Sequence, residues 1–297
     1  MMKRVLLSFL LYPVLALASP PTTVELIAEG SEPRQKLVVE SRSETPTGVK
    51  IDLQQHVVER VAGKDASKTA MPRIVFEGTL QTIAADSDSF TYTMVFDAIR
   101  VFRTKGMEKG TDRSLRNHWK RLRGMKYHAK VSTGGILQSA KLTFPTQPHA
   151  ALAAPIQSLQ ETLRSVQTPL PDVAIGVGAQ WQVKENTIRD GVGMHRIRKW
   201  TLKKRGSTIR VTGKLVDTGD PAAIDIGDLP KDMSATVTAV GGMGSYVIGW
   251  TPKYPIASSW KLTMSHHLDL VAQIGASRFT NRTEVTSKVH VRLTPLQ

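Results

Sequence analysis

The residues of this chain with the most chemistry in them are eight histidines, one serine set among glycines, and a few aspartates in a loop. Zinc chemistry needs three or four imidazole, thiolate or carboxylate ligands at one point, and catalytic zinc often rests on spacings such as His-Glu-x-x-His. No such spacing occurs. His266 and His267 are adjacent in a run that alternates like a strand, so their side chains leave on opposite faces. His195, His266 and His290 could meet only through the fold. Ser245 follows Gly-Met-Gly and does not sit in the Gly-x-Ser-x-Gly turn that presents a nucleophile. Gly213-Lys214 is followed by Leu215, with no phosphate-binding loop before it. Gly241 to Gly244 could cradle an anion with backbone amides, but reads more simply as the turn of a hairpin. Asp225 and Asp228 have no second feature of a glycosidase pair. These residues point to a non-enzymatic protein with no metal and no cofactor.

Charge is the stronger signal. Lys and Arg number 40 against 25 Asp and Glu, a formal charge of +15. Two stretches concentrate it. Between Ala98 and Lys130 eleven basic residues face only Glu108 and Asp112; between Lys184 and Lys214 ten face only Glu185 and Asp190. The remainder of the chain beyond its first residues is slightly acidic. A focused positive field favours an anionic partner. The candidate anion-binding residues are Arg113, Arg116, Lys120, Arg121, Arg123 and Lys126 in the first stretch, and Arg198, Lys199, Lys203, Lys204 and Arg205 in the second. Trp119 and Tyr127 lie in the first stretch, where an aromatic ring could anchor at a lipid interface.

The elements that must position these residues are mostly strands. Val49 to Val61, Ile74 to Ile83, Phe90 to Val101, Trp260 to Leu270 and Ser277 to Leu293 alternate apolar and polar side chains, the period of a half-buried strand. Val24–Ala28 and Gln35–Glu40 are shorter strand candidates, and Gly63 to Pro72 reads as a polar turn. After Ala98 the apolar phase shifts to Ile99 and Val101, which predicts a bulge. Gln180–Ile188, Gly193–Leu202 and Thr208–Val216 form a meander. Leu115, Trp119 and Leu122 make a short helical stripe that Thr111 or Asp112 could cap. Leu152, Ile156, Leu159, Leu163 and Val166 repeat at helical spacing, with Gln160, Glu161 and Arg164 expected in water; Pro155 should kink this helix or mark its start.

The pattern predicts a mainly β fold of the α+β kind: long, curved antiparallel sheets in two similar modules with a central amphipathic helix. The expected divisions are a signal peptide over 1–18, an N-terminal β-rich module with a short basic helix over 19–147, the central helix and linker over 148–171, and a C-terminal antiparallel module over 172–297. One highly curved sheet wrapping the central helix is the alternative.

Met1 to Arg4 is basic, Val5 to Leu17 is apolar, and Ala16-Leu17-Ala18 is a small-x-small site, the pattern of a secretory signal. Its apolar run is too short for the roughly 20 residues of a spanning helix, and no later segment is a candidate span. The chain is expected to be periplasmic or secreted. It has no cysteine, which excludes disulfides, Cys-ligated metals, a thiol nucleophile and a lipid-anchored cysteine.

Leu170-Pro171, Gly176-Val177-Gly178 and Trp181-Gln182-Val183 form a segment of the type Leu-Pro…Gly-Val-Gly-x-x-Trp-x-Val. It resembles a segment of an uncharacterised family of exported or lipid-anchored, β-rich bacterial envelope proteins of the myxobacterial type. The resemblance implies a β-rich fold and an envelope location and transfers no catalytic residue. This chain departs from it in lacking an anchoring cysteine and in being more basic. Read on their own residues, the glycines and Trp181 suggest a structural corner.

The sequence therefore suggests a non-enzymatic cell-envelope protein that binds or carries a lipid or other anionic amphiphile. The alternatives are a polyanion or membrane-surface binding module and a structural or assembly partner. Partners fitting the charge are anionic lipid, lipopolysaccharide, acidic polysaccharide or an acidic protein. The export pattern and the scarcity of aromatics, 6% of residues, argue against nucleic acid. An outer-membrane barrel fits poorly, because the strands exceed the 9–11 residues usual for spanning.

Overall fold

The computed structural model describes residues 22–40, 45–61, 64–107, 110–189, 192–224, 233–274 and 277–294. The export pattern of residues 1–18 lies outside them, as do Glu108, Lys109, Asp190, Asp225 and Asp228.

The chain is mainly β. Its strands are β1 (Thr22–Ala28), β2 (Thr47–Val61), β3 (Lys64–Ala70), β4 (Arg73–Ala85), β5 (Ser89–Phe102), β6 (Met125–Ser132), β7 (Leu137–Thr143), β8 (Gln180–Arg189), β9 (Val192–Lys204), β10 (Ile209–Gly219), β11 (Ala222–Ile224), β12 (Met233–Trp250), β13 (Ser259–Ile274) and β14 (Ser277–Thr294). Helix α1 spans Thr111–Lys120; α2 spans Ala153–Ser165 and follows a 3-10 turn at Ala150–Leu152. Two strand groups, β2–β7 and β8–β14, flank the helical segment in sequence. They join in one antiparallel sheet of order β1-β8-β9-β10-β12-β13-β14-β2-β4-β5-β6-β7, with β3 beside β2 and β11 beside β12. The last strand, β14, pairs with β2, and the first, β1, pairs with β8.

One phase of nearly every strand enters a single hydrophobic cluster. Ile51, Phe76, Met94, Tyr127, Trp181, Trp200, Tyr246, Trp260 and Val291 are all buried in it, together with Leu152, Leu159, Leu163 and Val166 from the helical segment. The sheet thus curls around α2, as in the wrapped-helix alternative. Thr22 on β1 and Leu137 on β7, at the two edges of the sheet, line one small cavity. The opposite phase carries Lys50, Asp52, Lys261, Lys288, His290 and Arg292 outward. An apolar inside and charged outside reverses the pattern of a lipid-facing barrel wall. Among the described residues no helix is long and apolar enough to cross a membrane.

Side chains explain several local choices. The expected bulge is present: Glu77 pairs Ala98 and Gly78 pairs Phe96, so Asp97 is extra and the apolar phase changes there. Trp181, Trp200, Tyr246 and Trp260 form a ladder across the inner face, with ring centroids 6.4, 5.1 and 5.7 Å apart. Gly213 lies in β10 between Trp200 and Tyr246. The Leu170–Val183 segment is a corner: Ile175 bridges Gln35, Gly178 turns the chain with φ of 88°, and Trp181 Nε1 donates to the Pro169 carbonyl at 2.9 Å.

Four local expectations are corrected. Gly241 to Gly244 is no hairpin turn but the middle of the 18-residue β12; its glycines make room for His267, His266 and Met264 from β13 rather than reversing the chain. Gln35–Glu40 forms only an isolated bridge, because Leu37 and Val39 are drawn into the core from an irregular strap. The polar stretch before Pro72 is β3, a strand that pairs with β2. Neither Thr111 nor Asp112 caps α1; the cap is Gly110, in a left-handed conformation, and Asp112 instead pairs with Arg116.

Candidate anion-binding face

The inside and outside of β9 divide the basic residues in a way their number alone does not show. Met194, Arg196, Arg198, Trp200 and Leu202 share the inward phase. Arg198 is 2% exposed. It is ion-paired to Glu185, donates to the Gln167 carbonyl at 3.3 Å and lies over the Trp200 ring. It belongs to the interior, which corrects its assignment as a surface anion ligand. Arg196 donates to both oxygens of Asp217, at 2.8 and 3.0 Å, and reaches Glu161 of α2 at 3.5 Å. Burial works to lower the Arg196 pKa, but hydrogen bonds and charge from Asp217, with Glu161 adding, hold it well above the usual guanidinium value. Burial also pushes the nearby Tyr246 phenol up to about 12, against the pull of Arg198 and Arg196. Glu161 is therefore half-buried and reaches Arg196, where the helix pattern suggested solvent.

This buried polar layer borders two cavities along α2. One, of about 50 Å³, lies among Gln55, Ser158, Glu161, Arg196, Tyr246 and His266. The other, of about 60 Å³, lies among Glu161, Arg164, Gln167, Glu185, Arg196 and Arg198.

The interface-anchor candidates are also interior. Trp119 is 0% exposed and meets Phe76 edge-on at 5.1 Å; Tyr127 is 2% exposed, beneath Tyr92. Both occupy the apolar phase of their elements, α1 and β6, so packing takes them away from any surface. Around them Arg113, Arg116, Lys120, Arg121, Arg123 and Lys126 are exposed. Arg116 is paired with Asp112 and donates to the Val101 carbonyl.

The second stretch presents its remaining cations on the outer face. Lys199, Lys203, Lys204 and Lys214 are exposed, while Arg205 is half-buried and donates to the Pro33 carbonyl at 3.3 Å. Lys184 is committed to Glu25, whose carboxyl its hydrogen bond holds below the usual carboxylate range. Lys199 and Lys214 are direct partners across β9 and β10. Like charges in that position are destabilising, and neither lysine has an ion pair among the described residues. Beside them runs Ile197–Val216–Met243, direct partners on β9, β10 and β12, and all exposed. Lys203, Lys204 and Arg210 bound the face at one end.

Between β10 and β5 the sheet inserts β12, β13, β14, β2 and β4. Sequence reasoning counted Lys214 in the second basic stretch without naming it beside Lys199, Lys203 and Lys204 as a candidate, and it missed the apolar row. The signal was present in the phase: Ile197 and Val216 alternate with buried residues and so must point outward.

No family model and no curated protein matches the chain. Among solved structures, it is similar to the Salmonella typhi OmpF complex with daunomycin at 7% identity, covering 84% of this chain and 99% of that one, with a TM-score of 0.20. A likeness of that size carries no argument about fold or function.

Proposed function

We propose that this chain is a non-enzymatic cell-envelope protein that docks on an anionic surface through the outer face of β9 and β10. The observation that carries the reading is the Lys199–Lys214 pair, two exposed cations held opposite each other without an acidic partner among the described residues. A protein gains nothing in stability from that arrangement, whereas an anionic surface would neutralise both charges at once. Lys203, Lys204 and Arg210 widen the same field. The N-terminal export pattern supports the envelope as the place where this happens.

Carriage of a lipid inside the sheet has less behind it. The interior is occupied by α2 and aromatic side chains, and the cavities of about 50 and 60 Å³ compare with roughly 300–1,000 Å³ for small-molecule pockets.

Binding to immobilised heparin and to vesicles of equimolar phosphatidylglycerol and phosphatidylcholine, across a salt series, tests the reading. The chain should bind at low salt and weaken steeply as salt rises. Replacing Lys199, Lys203, Lys204 and Lys214 together by Gln should weaken binding at least about ten-fold, since each cation near an anionic surface contributes about 1 kcal/mol. Equal binding by the variant, or none by the parent chain, would overturn it.

A further inference from the structure

We infer that the docking partner is an anionic phospholipid bilayer, and that the row Ile197–Val216–Met243 enters its interface while the neighbouring lysines hold the head groups. This rests on the electrostatic reading above and goes beyond it, because a soluble polyanion or an acidic polysaccharide would satisfy the lysines and leave the apolar row unused.

The row is a built feature of the sheet. Ile197, Val216 and Met243 are 37, 45 and 73% exposed and are direct cross-strand partners. Adjacent strands lie about 4.8 Å apart, so the three side chains form a contiguous line about 10 Å long. Val247, 40% exposed, stands on the same face of β12 four residues further on. Three large apolar side chains that are direct partners on three neighbouring strands make a patch, unlike singly scattered surface residues, and Val247 lies across the lysine row from it. No other element covers it among the described residues.

The setting of the row decides what it fits. Lys199 and Lys214 lie two residues along β9 and β10 from Ile197 and Val216, so the cationic line runs parallel to the apolar one and next to it. Lysine stems can lie along apolar surface while their ammonium groups reach outward to phosphate. Hydrocarbon flanked by cations is the composition that partitions into an anionic interface, where buried apolar area and electrostatic attraction add. A second copy of this chain would set these lysines against like charges, which opposes self-association through this face.

The experiment uses the full chain, a Val216→Asn/Met243→Asn variant, and the two probes already named, phosphatidylglycerol vesicles and heparin. Both substitutions are at exposed positions, and circular dichroism checks that the variant is folded. The variant should lose vesicle binding by at least about ten-fold, because two apolar side chains no longer leave water, and should bind heparin as the parent does. Because the chain contains no cysteine, Met243→Cys can carry a single environment-sensitive fluorophore, whose emission should shift to the blue on these vesicles and stay unchanged on heparin.

Undiminished vesicle binding by the Asn variant, or a fluorophore that stays in water, overturns the bilayer inference and leaves the electrostatic reading standing. So does heparin binding by the parent chain without vesicle binding. A parent chain that binds neither probe overturns both. A dimer that the Asn variant dissociates would make the row a contact between copies and overturn the inference.

Discussion

At Gly213 the missing side chain is what lets the aromatic ladder close. A Cβ there would lie 2.8 Å from Trp200 Cε3 and 2.9 Å from the Lys199 carbonyl oxygen. Neither the indole, packed between Trp181 and Tyr246, nor the backbone can withdraw cheaply. Gly213→Ala should destabilise the protein by about 1–3 kcal/mol, the usual cost of overpacking a full core, as read from urea unfolding; a change below about 0.5 kcal/mol would mean that the ladder is looser than its geometry. The same residue shows what can be read at this scale. A glycine inside an alternating run signals close approach of something, but that the ring is Trp200 depends on the register of β9 against β10, which the glycine itself does not show.

Between elements, the contact of α2 with the sheet is partly polar. Leu152, Ile156, Leu159 and Leu163 pack into the common core, while Ser158 bonds Gln55 on β2 and Glu161 reaches Arg196 on β9. Of the Arg196–Asp217 pair beneath, Asp217 is buried and Arg196 largely so, with side-chain exposures of 3 and 14%. Removing one member strands the other charge in the interior, so Asp217→Asn should cost about 3–5 kcal/mol. Arg196→Met/Asp217→Leu should cost clearly less than the sum of the single changes, because no uncompensated charge remains. A double-mutant cycle by thermal or urea unfolding checks this, and additivity would contradict it. Helical periodicity made α2 and its apolar stripe legible. Its polar side was not, because Glu161 on a helix looks the same whether it faces water or a buried guanidinium.

For the whole molecule, the two strand groups share one hydrophobic cluster and one hydrogen-bonded sheet. β2 pairs with β14 over Gly48–Val61, and β1 closes onto β8. A boundary near residue 148 would separate β2 from one of its two long neighbours and α2 from half of its wall. Unfolding should therefore be a single cooperative transition, with tryptophan fluorescence and far-ultraviolet circular dichroism superimposing; two separate transitions would show that the groups are stable modules in their own right. At this scale the formal charge of +15 also takes a different meaning. Part is neutralised within the fold at Arg196 and Arg198, and part is displayed on β9–β10 and around α1.

The sequence alone determined the long alternating strands, because period-two alternation is a local property that survives whatever the strands pack against; the polar β3 and the glycine-containing β12 lacked that signal. It determined the bulge near Ala98, where the apolar phase slips, and both helices, where apolar residues recur at steps of three and four. It also located the two concentrations of cations. Only the tertiary structure decided which strands are neighbours, that β12 runs straight through its glycines, and that Trp119 and Tyr127 are core. Those facts follow from pairings between residues far apart in the chain, such as His56 with Thr286. The tertiary structure also decided which cations are available, turning Arg196 and Arg198 inward and leaving Lys199 and Lys214 beside an exposed apolar row. The reason is that a side chain's direction is local, whereas its environment is made by whatever the sheet curls around.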